Sequence, residues 1–136
     1  MNTTSMIIIS IIAGLLSSMN IWATKWTHVR LHLNDLYMAC LMASWMVFFD
    51  SIYNQHHSNI TILSILSIVL FIYLIRNQVF ISDIQFMKGM IPHHSMAILM
   101  SEKIKNKSKN DNIIKLTNNI IKSQNDEIQY MEKLGY

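Results

Sequence analysis

Three long apolar stretches constrain the fold of this chain more than any other feature of its sequence. They comprise residues 6–23, 36–53 and 60–75, and as helices they would span roughly 24 to 27 Å, close to the hydrocarbon thickness of a bilayer. Because 51% of the 136 residues are hydrophobic and only 14% are charged, the chain is too apolar for an ordinary soluble domain of this size. We therefore predict an all-α protein in which residues 1–76 form an anchor of three transmembrane helices in a lipid bilayer.

The positions of the basic residues predict the orientation of this anchor. Lys25 and Arg30 lie between the first two stretches, and Arg76 and Lys88 follow the third. Basic residues favour the cytoplasmic side of a membrane. We therefore predict a protein of the cell (inner) membrane whose first connection and C-terminal region are cytoplasmic. Residues 56–57, both histidines in the second connection, are predicted to be a polar turn.

The segment of residues 86–100 concentrates methionine and histidine side chains on one predicted helix. Thioethers and imidazoles suit cuprous and silver ions, whereas hard ions need carboxylates. Residues three, four and seven apart share a helix face, so these side chains fall on two overlapping stripes. One stripe contains Met90, His93 and Met100, with Met96 at its edge, and the other contains Met87, Met90 and His94. Pro92 either kinks this helix or opens a new one. In the alternative interpretation the methionines only fill a core.

A second candidate surface lies in the first connection and the second apolar stretch. If residues 27–50 form one continuous helix, one face carries two histidines, an aspartate and two methionines: His28, His32, Asp35, Met42 and Met46. Ionisable groups near a bilayer usually turn towards a partner or a water-filled cavity, which predicts a further soft-metal or relay surface. The alternative is that the histidines are interfacial, that Asp35 is a helix N-terminal charge favoured by the dipole, and that the methionines face lipid.

Residues 77–136 form a separate predicted domain, a hairpin of two helices. Ser82 followed by Gln85 resembles a capping box that opens the first helix, and Asp111 is a candidate cap for the second. The two helices are predicted to end near Lys105 and Lys133.

One face of the second helix is predicted to oppose the histidines. Gln124, Glu127 and Met131 share this face. Met131 is therefore a candidate ligand. Gln124 and Glu127 are predicted either to bind the metal or to orient the imidazoles by hydrogen bonds.

A hairpin of this size buries too little apolar surface to be stable alone. The predicted solution is a dimer or other homo-oligomer in which two hairpins form a four-helix bundle. Docking on the chain's own membrane helices is the alternative.

Two segments of the hairpin resemble the motifs of a known family. Residues 90–100 read Met-Ile-Pro-His-His-Ser-Met-Ala-Ile-Leu-Met, and residues 120–131 read Ile-Ile-Lys-Ser-Gln-Asn-Asp-Glu-Ile-Gln-Tyr-Met. They are similar to both motifs of the domain of unknown function 305 family, with Ser123 standing where that family often has Ala. The resemblance covers about residues 79–136. It implies a ferritin-like helical bundle and, as in some members, copper bound through Met and His. Residues 1–76 resemble the membrane-anchored branch of the family. Soluble relatives are generally exported, which implies the opposite side of the membrane for the C-terminal domain.

Two classes of function agree with these patterns. The first is a membrane-anchored protein that captures cuprous or silver ions for tolerance or delivery, with a metal pump or metallochaperone as a partner. The second is a structural or partner-binding membrane subunit whose His93, His94, Gln124 and Glu127 form a polar core network without metal.

Other functions are not expected from the sequence. A di-iron site needs several inward carboxylates, whereas the hairpin supplies one well-placed glutamate, so iron is not expected as a cofactor. The sequence contains no nucleophile–base constellation or phosphate-binding loop, so we do not expect an enzyme. The lysines within residues 103–122 lack an aromatic platform, which argues against nucleic acid as a partner.

Overall fold

The chain is entirely helical over the residues that the structure describes. The computed structural model describes residues 3–55 and 58–135, so the predicted polar turn at residues 56–57 lies outside the described residues. Five α-helices follow one another, with no strand in these ranges. They are α1 (Thr3–Leu16), α2 (Leu33–Tyr53), α3 (Ser58–Arg76), α4 (Asp83–Lys105) and α5 (Asp111–Lys133). The predicted all-α class is confirmed.

Three helical segments are long and apolar enough to cross a membrane, by length and composition. They are Thr3–Trp22, Leu33–Tyr53 and Ser58–Arg76, each within a few residues of a predicted apolar stretch. Few of their side chains are buried by the protein itself, and large apolar side chains point outward along α1 and α3. A helix that is apolar around its whole circumference is typical of an apolar environment.

The first apolar stretch is helical over a shorter range than predicted. Helix α1 ends at Leu16, and Met19–Trp22 forms a separate 3-10 turn. Ser, Thr and Asn side chains compete with the helix for backbone hydrogen bonds. The Asn20 side chain accepts a hydrogen bond from the Arg30 amide at 2.7 Å and donates one to the Arg30 carbonyl at 3.1 Å. These bonds close residues 20–30 into a loop instead of extending the helix.

Helices α1, α2 and α3 and the residues up to Ile81 form one compact unit. Helix α2 packs against both α1 and α3. Gly14 allows α1 to approach α2 closely, because a Cβ atom at Gly14 would lie 2.8 Å from the Cα atom of Ala39. Helices α2 and α3 are joined by a hydrogen bond of 3.0 Å from the Thr61 hydroxyl to the Ser51 hydroxyl. The Tyr37 hydroxyl donates to the Val79 carbonyl at 3.0 Å and fixes the chain after α3.

A second compact unit consists of the connecting segment Met19–His32 together with the residues from Ser82 onward. Here α4 packs against α5 around an apolar core of Met87, Ile91, Ile98, Ile128 and Met131, with Met90 packed against it. We call Met19–His32 the connector. It packs on α4, so the hairpin partly buries itself against a segment from the N-terminal half of the chain.

The hairpin helices match their predicted ends. The Ser82 hydroxyl accepts a hydrogen bond from the Gln85 amide at 3.4 Å, as the capping signal predicts. Asn110, not Asp111, is the residue that caps α5, because its side chain accepts from the Asn112 amide at 2.9 Å. Helix α4 continues through Pro92, so the alternative in which Pro92 opens a new helix is wrong.

The division of the chain differs from the predicted domains of residues 1–76 and 77–136. The prediction places the connector in the anchor, whereas its contacts group it with α4 and α5. The physical reason is that the connector docks on a serine hydroxyl and at a glycine of α4. Neither residue belongs to an apolar sequence pattern, so hydropathy does not reveal the contact. The four-helix bundle formed by dimerisation stays a prediction.

Candidate functional site

The most distinctive site on the hairpin is an open pocket between the start of α4 and the end of α5. Its volume is about 580 Å³. Nine side chains line it: Asp83, Phe86, Met87, Met90, His94, Glu127, Tyr130, Met131 and Leu134. Because α4 and α5 are joined by a short turn and run antiparallel, the first three turns of α4 face the last three turns of α5. The pocket therefore combines three thioethers and one imidazole, and we call it the Met–His pocket.

His94 is the central polar group of the Met–His pocket. The imidazole is buried, and its Nδ1 atom lies 3.1 Å from Glu127 Oε2. Within the described part of the chain, no group is aligned to form a hydrogen bond with this nitrogen. Glu127 is half exposed and is held by a hydrogen bond of 2.8 Å from the Ser123 hydroxyl to its other carboxylate oxygen.

Burial decides the protonation state of His94. Desolvation lowers the pKa of His94 below its usual value because it disfavours the imidazolium, while the neighbouring Glu127 carboxylate raises the pKa and His93 lowers it. The net shift is downward. At neutral pH the imidazole is therefore neutral and carries a free lone pair.

The structure brings together four of the seven predicted metal ligands and not the other three. Met87, Met90, His94 and Met131 line the Met–His pocket. His93 is exposed, and its ring is 5.9 Å from that of His94 with 60° between the planes, in keeping with the 100° step between adjacent helix positions. Met100 is exposed and lies in a different groove, and Met96 is half-buried outside the pocket lining.

Of the two side chains predicted to orient the imidazoles, one contacts a histidine. Glu127 is the residue beside His94. Gln124 is half-buried one turn earlier on α5 and does not line the pocket. The pocket also contains Phe86, Tyr130 and Leu134, which the sequence did not single out. The only sequence signal for these three side chains is their helical spacing from Met87, Met90 and Met131.

A hydrogen-bond cluster around Ser95 attaches the connector to α4. Ser95 is completely buried, and its Oγ atom lies 2.8 Å from the Thr24 amide, 2.9 Å from the Thr24 hydroxyl and 2.9 Å from Nδ1 of His28. On its other side, His28 Nε2 lies 3.9 Å from a carboxylate oxygen of Glu132. Sequence reasoning missed Ser95. The available signal was a polar residue that shares a helix face with Ile91 and Ile98.

Burial also controls the ionisation of His28. Desolvation lowers the pKa of His28 below its usual value, Glu132 opposes this by raising the pKa, and Lys25 and Arg30 lower it. The neutral ring can then accept a hydrogen bond from the Ser95 hydroxyl through Nδ1.

The Ser95, His28 and Glu132 side chains have the composition of a hydrolytic triad but not its accessibility. A nucleophile must meet its substrate within about 3 Å, whereas Ser95 has 0% exposure and is in contact with Thr24. The cluster therefore holds the fold together.

The second histidine of the connector docks at a glycine of α4. A Cβ atom at Gly89 would lie 2.6 Å from Cδ2 and 2.7 Å from Nε2 of His32. Trp22 lies near the C-terminal end of α4, Thr24 and His28 lie at Ser95, and His32 lies at Gly89. The connector thus runs antiparallel to α4.

The predicted surface on a continuous helix of residues 27–50 needs correction. Helix α2 begins at Leu33, so His28 lies in a 3-10 turn and His32 precedes the helix. The docking of both imidazoles on α4 overrides the helical pattern, and their register with Asp35, Met42 and Met46 is lost. Asp35 lies in the first turn of α2, where the helix dipole favours an acidic residue.

No group of three or more His, Cys, Asp or Glu side chains converges within residues 3–55 and 58–135. A carboxylate-rich metal site is therefore not formed by these residues. The Met–His pocket draws three of its four soft donors from methionine, which is a different class of site.

Comparison with known proteins identifies the family. Residues 75–135 match the family described as a domain of unknown function, DUF305. The chain is also 47% identical over 133 residues to the uncharacterized protein L153 of Acanthamoeba polyphaga mimivirus, an alignment that covers 95% of this chain and 88% of that protein. The chain belongs to the DUF305 family. No solved structure matches it significantly.

The DUF305 match covers α4 and α5 and includes every residue that lines the Met–His pocket. The connector lies outside the matched residues. In this DUF305 protein, therefore, part of the hairpin's buried surface is supplied by a segment that the family motif does not include.

Proposed function

We propose that this DUF305 protein is a membrane protein that binds a monovalent soft metal ion, cuprous or silver, as cargo in the Met–His pocket. His94 would supply the imidazole, and Met87, Met90 and Met131 would supply the thioethers. The three apolar helices support the membrane location, and their composition is that of transmembrane segments.

The observation that carries this proposal is the state of His94. The ring lines one pocket with three thioethers, and Glu127 lies 3.1 Å from its Nδ1 atom, which leaves Nε2 as the nitrogen that would bind a metal. Metal ligation requires the neutral imidazole. The lowered pKa of His94 keeps the ring in that form at neutral pH.

The surrounding side chains select the class of metal. Thioethers are soft donors that favour cuprous and silver ions over hard divalent cations. Glu127 lines the same pocket, and its contact with Nδ1 of His94 can orient the ring. Two exposed carboxylates, Asp83 and Glu127, give the pocket an anionic edge that attracts a cation.

The proposal is tested by cuprous binding to the full chain in detergent under reducing conditions, measured by competition with a chromogenic cuprous chelator. His94→Ala, and separately Met90→Leu with Met131→Leu, should weaken binding by about tenfold or more, which corresponds to about 1.4 kcal/mol. The methionine variant keeps side-chain volume, so its helical circular dichroism spectrum should match that of the wild type.

The matched controls are predicted ligands that do not line the Met–His pocket. His93→Ala and Met100→Leu should leave affinity unchanged, because His93 is exposed and Met100 lies in another groove. If these controls lose affinity while the pocket variants retain it, the Met–His pocket is not the site. Unchanged affinity in every variant would also refute the pocket, and absence of cuprous binding by the wild type would refute the metal-binding proposal.

A second candidate function is a structural or partner-binding membrane subunit, and the Ser95 cluster favours it. Thr24 and His28 both bond to Ser95, so a histidine that packs on the family motif acts as a hydrogen-bonding group of the fold. On this interpretation, saturating cuprous ions leave the melting temperature of the full chain unchanged. A clear rise would favour the cargo function, because a ligand that binds only the folded state stabilises it.

The cellular setting is part of the same proposal. We place the chain in an inner (cell) membrane, and its basic residues favour a cytoplasmic C-terminal domain. The partner would be a metal pump or a metallochaperone. Protease protection of the C-terminal region in sealed vesicles distinguishes the two sides of the membrane.

A further inference from the structure

A second groove lies at the opposite end of α4 from the Met–His pocket. Its volume is about 390 Å³, and it is lined by Trp22, Leu99, Met100, Lys103, Ile104 and Lys107. Trp22 is 49% exposed, Met100 is 55% exposed and Ile104 is 48% exposed. The floor of this groove, which we call the Trp22 groove, is therefore an accessible apolar surface.

The rim of the Trp22 groove is cationic. Lys103 lies in the last turn of α4 and Lys107 in the turn that follows the helix, and both line the groove. Among the described residues that line the groove, none is acidic. Glu102 is adjacent in sequence but steps about 100° around the helix, away from Lys103. Two ammonium groups beside an apolar floor fit a ligand with an anionic head and an apolar tail.

The Trp22 groove also contains the end of a candidate membrane span. Trp22 is the last residue of the span Thr3–Trp22, and tryptophan and lysine are the residues that favour the level of the lipid headgroups. Two neighbouring apolar residues of the connector are also exposed, Ile21 at 71% and Trp26 at 90%. The groove thus begins at the residue where an apolar segment long enough to cross a bilayer ends.

We propose that the Trp22 groove binds an anionic phospholipid of the surrounding leaflet. The acyl chain packs against Trp22, Met100 and Ile104, and the phosphate lies between Lys103 and Lys107. This inference rests on the membrane location given above and is independent of metal binding.

The test uses the full chain in a zwitterionic detergent and native mass spectrometry with added phosphatidylglycerol, phosphatidylcholine or inorganic phosphate. Phosphatidylglycerol should be retained preferentially. Lys103→Gln with Lys107→Gln should reduce its retention by about 25-fold, because each lysine beside an anionic lipid surface contributes about fivefold. The matched control is Lys122→Gln with Lys133→Gln, which removes the same charge from α5 and should leave retention unchanged.

A third variant tests the apolar floor. Ile104→Gln should also weaken phosphatidylglycerol retention, because Ile104 is exposed in the groove and contacts the acyl chain. Equal retention of the two lipids, equal losses in the groove and control variants, or displacement of phosphatidylglycerol by inorganic phosphate would each overturn the proposal.

The membrane location itself is measured separately by alkaline carbonate extraction. A chain that resists extraction but shows no lipid preference refutes the lipid site alone, and a chain that is extracted refutes the membrane location.

Discussion

At the scale of single residues, the Ser95 hydroxyl determines how the connector and α4 are joined. A hydroxyl has one donor and two acceptor sites, and the contacts to Thr24 and His28 use all three. His28 is buried, whereas Thr24 is exposed and can bond to water instead. Removing the Ser95 oxygen therefore leaves the buried Nδ1 atom of His28 without its partner.

Ser95→Ala is expected to lower the free energy of unfolding by about 1 to 3 kcal/mol, the cost of leaving buried hydrogen-bonding groups unpaired. Thermal unfolding of the full chain in detergent, followed by circular dichroism, measures the change. Ser101→Ala is the control, because Ser101 is a buried serine of the same helix. Equal effects of the two substitutions would argue against a special role for Ser95.

The docking of the connector is expected to weaken in acid because of His28. Burial lowers the pKa of His28 more than Glu132 raises it, and Lys25 and Arg30 lower it further. The folded state therefore prefers the neutral ring. This contribution to stability is fully present above about pH 6.5, the usual value, and is lost as the pH falls through the lowered pKa. The Thr24 amide, which donates to Ser95, should lose hydrogen-exchange protection, after correction for intrinsic rates, between pH 7.5 and pH 5.

His28→Gln is the control for this pH effect. Glutamine does not titrate, so the corrected protection of the Thr24 amide should then be independent of pH. Persistence of the acid-induced loss in this variant would assign it to another group, such as His94, whose pKa is also lowered by burial.

At the scale of elements, caps determine the hairpin helices and a close approach determines the packing of α1 on α2. Ser82 predicts the start of α4, and the polar turn before Asp111 predicts the start of α5 to within one residue. These signals are local, so the sequence reveals them. The local sequence does not show why a glycine is needed at Gly14. The reason is that Ala39, 25 residues away in sequence, lies directly across the helix interface.

Gly14→Ala is expected to destabilise the unit of α1, α2 and α3. The new Cβ atom would lie 2.8 Å from Ala39 Cα and 2.9 Å from Ala39 Cβ, and neither atom can rotate away. In an exposed helix the same change would stabilise by about 1 kcal/mol. A lower melting temperature in detergent would show that the steric term exceeds the helix propensity. Ala13→Val, at an exposed neighbouring position of α1, is the control and should have little effect. If Gly14→Ala raised the melting temperature, the close approach would be refuted.

At the scale of the whole molecule, the assembly of the hairpin remains a prediction. The connector covers part of α4. The prediction of a dimer did not take this contact into account. Large apolar side chains nevertheless remain exposed on the hairpin, including Ile84, Phe86, Leu116, Tyr130 and Leu134. We expect mass measurement of the detergent-solubilised protein to give a dimer or a higher even oligomer, with these residues at the interface. A monomer with an intact helical hairpin would mean that the connector alone stabilises it.

The sequence by itself determined the helical class, the three apolar segments, the ends of α4 and α5 and the family, because hydropathy, capping and motif spacing are local properties. It also placed Met87, Met90 and His94 on one helix stripe, and these three line the Met–His pocket. Only the tertiary structure decided that Met131 joins them while His93 and Met100 do not, because that depends on which face of α4 meets α5.

Tertiary structure also decided the place of His28 and His32. Their spacing predicts a continuation of α2, but a buried hydroxyl at Ser95 and the space at Gly89 hold them against α4 instead. These contacts join residues about 60 to 70 positions apart, and no pattern within one segment can report them.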